Sequence, residues 1–124
     1  MQAFIIGMTN QPGVLATALE ALATAGINLQ SAAAATWGDS GGAAVLTDDP
    51  AAGSALDAAG VSYHQAEVAV ASLEHRPGTL AAAARALANA GINIEGVFPM
   101  GMDDGKVQVG FAVADAAAAQ AALG

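Results

Sequence analysis

The chain repeats itself, and that repeat limits what it can fold into more than any other feature. Slid along itself by 65 residues, the segment Asn10–Leu29 falls without a gap on His75–Ile94, and 12 of the 20 positions are identical. Five of the twelve are alanines, which an Ala-rich chain matches by chance. The other seven are Pro, Gly, Leu, Leu, Gly, Ile and Asn, and internal duplication accounts for them. The expected organisation is therefore two modules, 1–65 and 66–124. A unit of about 60 residues buries only about 60% of the surface its unfolded chain exposes. Stability is therefore expected to draw on association, through a shared core, a sheet edge or a dimer interface.

Each copy reads as strand, helix, strand, strand, helix. Ala3–Met8 is short, apolar and β-prone, and Val68–Leu73 alternates like a strand. A Pro-Gly follows each, with Pro suited to the first position of a helix. Leu15, Leu19 and Leu22 mark one helical face, answered by Leu80, Ala84 and Leu87. Gly26 and Gly91 are expected to end those helices in the left-handed conformation. Strands then run from Ile27 towards Trp37 and from Ile92 towards Met102. Gly38-Asp39-Ser40-Gly41-Gly42 and Asp103-Asp104-Gly105 have the composition of hairpin turns. Asp48-Asp49-Pro50 and Asp115 are N-cap signals for a second, Ala-rich helix. In copy one Gly60 stops that helix and Val61–Ala66 forms a fourth strand. The fold class is α+β: two ferredoxin-like βαββαβ modules in tandem, the second lacking its last strand. An open sheet edge invites pairing with another chain, and a homodimer is expected.

Composition excludes several functions. The formal charge is −8, with Arg76, Arg85 and Lys106 the only Lys or Arg residues. Phosphate neutralisation by Lys and Arg dominates nucleic-acid affinity, so no nucleic-acid partner is expected. An anionic membrane surface is disfavoured on the same ground. The absence of cysteine removes disulfides, thiolate metal sites and thiol nucleophiles. No apolar run reaches the ~20 residues of a membrane-spanning helix, and the N-terminus lacks a basic signal region. A cytoplasmic protein is expected.

Asn-x-Pro-Gly-Val-Leu after a first strand, followed by Ala-Gly-Ile-Asn at the end of the first helix, resembles the ACT domain. Both copies carry the pattern, although copy two has His75 in place of the Asn. The resemblance implies a small stand-alone protein of ACT modules that binds an amino acid between modules and acts on a metabolic enzyme or regulator. It implies a ligand site at Asn10, Gln11, Pro12, Gly13, Val14, Leu15 and Asn28, with His75, Arg76, Pro77, Gly78, Thr79, Leu80 and Asn93 as the counterparts. The chemistry of the residues agrees. A zwitterion needs donors for its carboxylate and acceptors for its ammonium group. A helix start offers unpaired backbone N–H groups and the positive end of a dipole. Gly13 permits close approach to the backbone, and Asn10 and Asn28 each offer a donor and an acceptor. Copy one contains no Lys or Arg, which favours a small carboxylate over a phosphate. Structural readings stand beside these: Pro12 and Gly13 as helix starters, Asn10 as a helix-entry residue, and Asn28 and Asn93 as partners of the turn after a cap.

Two rival functions remain. His64, Glu67, Glu74 and His75 are close in sequence and suggest a metal or an acid–base pair. On a continuous strand, however, His64 and Glu67 point to opposite faces. No nucleophile, base and orienting group stand at a recognisable spacing, so no catalytic residues, metal or cofactor are expected. The second rival is an ACT-fold interaction or dimerisation module that binds no ligand.

Overall fold

A computed structural model describes all of residues 1–124. The elements run β1 (Gln2–Thr9), α1 (Val14–Thr24), β2 (Ser31–Trp37), β3 (Ser40–Thr47), α2 (Ala52–Ala58), β4 (Tyr63–Glu74), α3 (Thr79–Asn89), β5 (Gly96–Asp103), β6 (Lys106–Val113) and α4 (Ala116–Leu123). They divide into two compact units, Met1–Gln65 and Ala66–Gly124. The order is that of ferredoxin-like modules, and no strand follows α4. The expected fourth strand of copy one and first strand of copy two are one continuous strand, β4. Nothing in Gln65-Ala66-Glu67 would break it.

In unit one, β3 lies between β1 and β2, antiparallel to both. In unit two, β6 lies between β4 and β5 in the same way. The β2–β3 hairpin closes at Trp37 opposite Ser40 around Gly38 and Asp39 alone. Gly41 and Gly42, expected in the turn, belong to β3. The β5–β6 hairpin turns on Asp104 and Gly105, both at positive φ (51° and 75°), as a type I′ turn requires. β5 carries one extra residue, where the register shifts between Pro99 and Met102. The two copies therefore match at an offset of 65 before this bulge and 66 after it.

The helices pack small residues and leucines onto the sheets. Unit one buries Phe4, Ile6, Ala18, Leu22, Ile27, Val45, Ala52 and Leu56 in one cluster. Unit two buries Ala69, Ala71, Ala83, Leu87, Val109, Phe111, Val113 and Ala119. Volume has been exchanged between strands. Phe4 faces Val45 across unit one, while in unit two the same pair is Ala69 and Phe111. Swapping which strand carries the large side chain conserves core volume, which close-packed interiors demand.

The glycine caps behave as the sequence indicates. After α1, Gly26 at φ 74° donates to Ala23 O, and Ile27 donates to Leu22 O. Gly91 and Ile92 repeat the pattern after α3, and Gly60 and Val61 after α2. These are Schellman caps. Because Ile27 and Ile92 are engaged there, β2 and β5 begin only at Ser31 and Gly96. Asp115 caps α4 through Oδ1, accepting from Ala118 N at 3.0 Å. At α2, Asp49 Oδ1 accepts from Ala51 N at 2.9 Å, forming an Asx turn one residue ahead of the helix.

Candidate functional site

The two Pro-Gly segments do not start their helices as expected. Pro12 and Pro77 lie one residue outside, and Gly13 and Gly78 are the N-caps, at φ 89° and 93°. Val14 N–H reaches back to Gln11 O at 3.4 Å, so Gln11-Pro12-Gly13-Val14 is a turn with Pro second and Gly third. That is the type II arrangement, whose third residue needs positive φ. A Cβ on Gly13 would meet nothing within 4 Å. The backbone conformation therefore requires glycine here, and the surface above it is open.

A glycine N-cap has no side chain with which to cap. Neither α1 nor α3 has a side-chain cap. The first intrahelical bonds are Thr17 N–H to Gly13 O and Ala82 N–H to Gly78 O, both 2.9 Å. The N–H groups of Leu15 and Ala16, and of Leu80 and Ala81, precede those bonds and have no helical acceptor.

In unit one this entrance borders a depression of about 210 Å³ lined by Met8, Thr9, Asn10, Gln11, Leu15, Ala34, Ala35 and Thr36. Its walls on β1 and β2 are separated by β3, which carries glycine here. Met8 and Thr36 both lie opposite Gly41, and Gly7 and Ala35 both lie opposite Gly42. A Cβ on Gly41 would come within 2.6 Å of Thr36 Cγ2 and 2.7 Å of Ala35 O. Gly41 is therefore required by the close fit of β3 against β2. Asn10 holds the rim: its N–H donates to Asp39 O and its Nδ2 to Gly38 O, both 2.9 Å. This tethers the entrance loop to the hairpin turn and leaves Oδ1 as the acceptor.

Asn28 is not part of this hollow. It follows the C-terminal cap of α1, an 11-residue helix of about 16 Å at 1.5 Å per residue. There it borders a shallow depression of about 390 Å³ with Gly26, Gln30, Thr47, Asp48 and Asp49. Its carbonyl accepts from Thr47 Oγ1 at 2.9 Å. Asp48 accepts hydrogen bonds from the Met1 amine and from Gln30, which together hold its carboxyl below the usual carboxylate range.

In unit two, Arg76, Pro77, Gly78 and Thr79 line a larger trough of about 750 Å³ that also takes in Val70–Glu74, Gln120 and Leu123. Thr79 Oγ1 donates to Glu74 O at 2.8 Å, pinning the loop to the end of β4. His75, Leu80 and Asn93 are exposed and lie outside the trough. Asn93 follows the far end of α3, as Asn28 follows that of α1. Glu67, one of the rival acid–base candidates, accepts from Ala116 N–H at 2.8 Å and serves the start of α4.

A duplicated α+β module with two glycine-capped helix entrances matches a known family along nearly its whole length. The family model described as an ACT domain pair covers residues 1–120. The chain belongs to the ACT domain pair family. Solved structures share the ACT pair fold. Protein BT0572 from Bacteroides thetaiotaomicron is 24% identical, with a TM-score of 0.75 over 98% of this chain and 85% of that one. The regulatory subunit of aspartate kinase from Thermus thermophilus, in a ligand-free form, is 25% identical, with a TM-score of 0.65 over 98% and 88%. The corresponding subunit from Thermus flavus is 24% identical, with a TM-score of 0.70 over the same shares. No curated protein sequence matches the chain significantly. No helix of this ACT pair is long and apolar enough to cross a membrane.

Proposed function

We propose that this ACT pair is a non-catalytic regulatory or sensor protein that binds a small amino acid at its Pro-Gly entrances and acts on a metabolic enzyme. One observation carries the reading: both first helices begin on a glycine, so the amides of Leu15 and Ala16, and of Leu80 and Ala81, are left without a cap. Free amides at a helix start, with the helix dipole behind them, suit a carboxylate. In unit one Asn10 Oδ1 is an acceptor within the same rim and suits an ammonium group. The hollow beside Asn10, at about 210 Å³, suits a small ligand. The regulatory role is supported by family membership and by likeness to the aspartate kinase regulatory subunit of Thermus thermophilus.

A thermal-shift screen of the twenty amino acids tests this. A ligand at 100 times its dissociation constant stabilises by about 2.7 kcal/mol. At least one amino acid raises the midpoint in the wild type, and Asn10→Ala, which removes the rim acceptor, weakens the rise. No response to any of the twenty at millimolar concentration refutes the reading.

One observation favours the ligand-free interaction module instead. Trp37, at the end of the β2–β3 hairpin, is 90% exposed, and Met102, near the end of the other hairpin, is 60% exposed. Tryptophan and methionine are enriched where chains meet, which gives an exposed Trp37 a use in a contact between chains. Under this second reading the protein is a homodimer that Trp37→Ala weakens, as sedimentation velocity would reveal, and no amino acid shifts its melting.

A further inference from the structure

We infer that Asn10 couples the unit-one entrance to the tip of the β2–β3 hairpin, so that an amino acid seated at the entrance fixes the position of Trp37. The inference rests on the amino-acid reading above and names the surface through which that site acts. Residues 34–40 are all exposed, so no buried side chain holds the tip. Backbone pairing holds it as far as Ser40, which lies opposite both Trp37 and Thr9. Beyond that pairing, Asn10 grips the turn itself, through its N–H to Asp39 O and its Nδ2 to Gly38 O. Any residue but proline could make the first of these bonds. The second needs a side-chain donor of this length.

The Asn10 amide is one rigid plane with two ends. A carbonyl oxygen only accepts, so the amide nitrogen must face Gly38 O, and Oδ1 is the end left for a ligand. An ammonium group bonded to Oδ1 polarises the amide and strengthens the bond that Nδ2 donates. The hollow has its other wall on the same hairpin, at Ala34, Ala35 and Thr36. A ligand there touches the entrance on one side and the hairpin on the other. Empty, the tip is released whenever an exposed hydrogen bond opens; occupied, it is clamped. Unit two supplies the contrast. His75 stands in place of Asn10, is exposed, and makes neither bond to the β5–β6 turn. An ion pair between Lys106 and Glu74, at 3.7 Å, joins the strands at that end instead. The tether thus belongs to the copy whose hairpin ends on tryptophan. A sensor needs a surface that differs between its empty and occupied states, and the tip bearing Trp37 is that surface.

The test uses the full chain and the standard amino acids other than tryptophan, added singly. Thermal melting reports binding. The indole N–H resonance of Trp37, the only tryptophan, reports the tip. An amino acid that raises the midpoint is expected to displace the indole signal and the Gly38 and Asp39 amides, while those of Asp104 and Gly105 stay in place. Asn10→Asp keeps an oxygen for the ammonium group and loses the donor to Gly38 O. Read at ligand saturation, so that altered affinity does not enter, the Trp37 displacement falls about fivefold in this variant. Without any amino acid, the same variant already moves the indole and Asp39 signals, because the tip has lost its tether. Circular dichroism verifies that it folds. A raised midpoint with a stationary Trp37 overturns the coupling and leaves the binding reading intact. An undiminished displacement in Asn10→Asp, or ligand-free signals equal to those of the wild type, does the same. No rise in midpoint with any amino acid overturns the binding reading, and the coupling falls with it.

Discussion

Gly13 and Gly7 both become alanine with no steric collision, since an added Cβ meets nothing within 4 Å at either site. The two substitutions should nevertheless move stability in opposite directions. In both, alanine restricts the unfolded chain and so stabilises by about 0.4–1 kcal/mol. At Gly7, inside β1 and without a positive φ, nothing opposes that gain. At Gly13, φ is 89°, and an L-residue held in the left-handed region costs about 1–2 kcal/mol. The net effect there is a loss of up to roughly 1.6 kcal/mol, and the two variants should differ by about 1–2 kcal/mol. At about 4–8 °C per kcal/mol for domains of 60–100 residues, their melting midpoints should separate by at least about 4 °C. Urea titrations followed by circular dichroism give the same comparison as free energies. A graded series at position 13 sharpens it: Asn, which tolerates the left-handed region, should cost less than Ala, and Val, which is β-branched, should cost more. If Gly7→Ala and Gly13→Ala shift stability in the same direction, or Val is no worse than Ala at position 13, the backbone argument for the Pro-Gly entrance is wrong.

Three further outcomes are expected. Leu87 is fully buried in the unit-two cluster, and Leu87→Ala should cost about 2–5 kcal/mol by denaturant unfolding. Asp115→Ala removes the α4 cap and should cost about 1 kcal/mol, while Asp115→Asn or Asp115→Ser retains most of it. Tyr63 is the only tyrosine, and burial, reinforced by the carboxylate of Asp57, raises its phenol above the ordinary 10.0. The folded state thus holds this proton more tightly than the unfolded one, and its contribution to stability is complete below pH 10 and lost as pH rises through the raised value. Ultraviolet titration of tyrosinate should show a midpoint above 10, lowered by Asp57→Asn and returned to 10 in urea.

The elements that local chemistry decides were legible in the sequence. Gly26, Gly60 and Gly91 announced helix ends because only a left-handed residue closes a Schellman cap, and Asp104-Gly105 announced a hairpin because its turn needs two positive φ values. Asp115 announced α4 through its side chain. Features that depend on the partner across the sheet were not legible. Gly41 and Gly42 look like turn residues until β3 is seen between β1 and β2, where Thr36 and the Ala35 carbonyl leave no room for a side chain at Gly41. Pro12 and Pro77 look like helix starters because the sequence does not distinguish a first helical position from the second position of a type II turn. Asn10 and Asn28 look equivalent as polar neighbours of one helix, but they stand at its opposite ends. The motif that links them in sequence therefore builds two separate surfaces in space.

The extra residue in β5 shows how a duplicated module tolerates a change of length. Adding one amino acid to a strand inverts every later side chain, turning an interior outward. Here the disturbance is absorbed between Pro99 and Met102, so Val109, Phe111 and Val113 on the neighbouring strand keep their inward places. A chimera that exchanges material between the two halves must therefore carry this stretch whole. Cutting through it would hand one half a reading frame of side chains that belongs to the other.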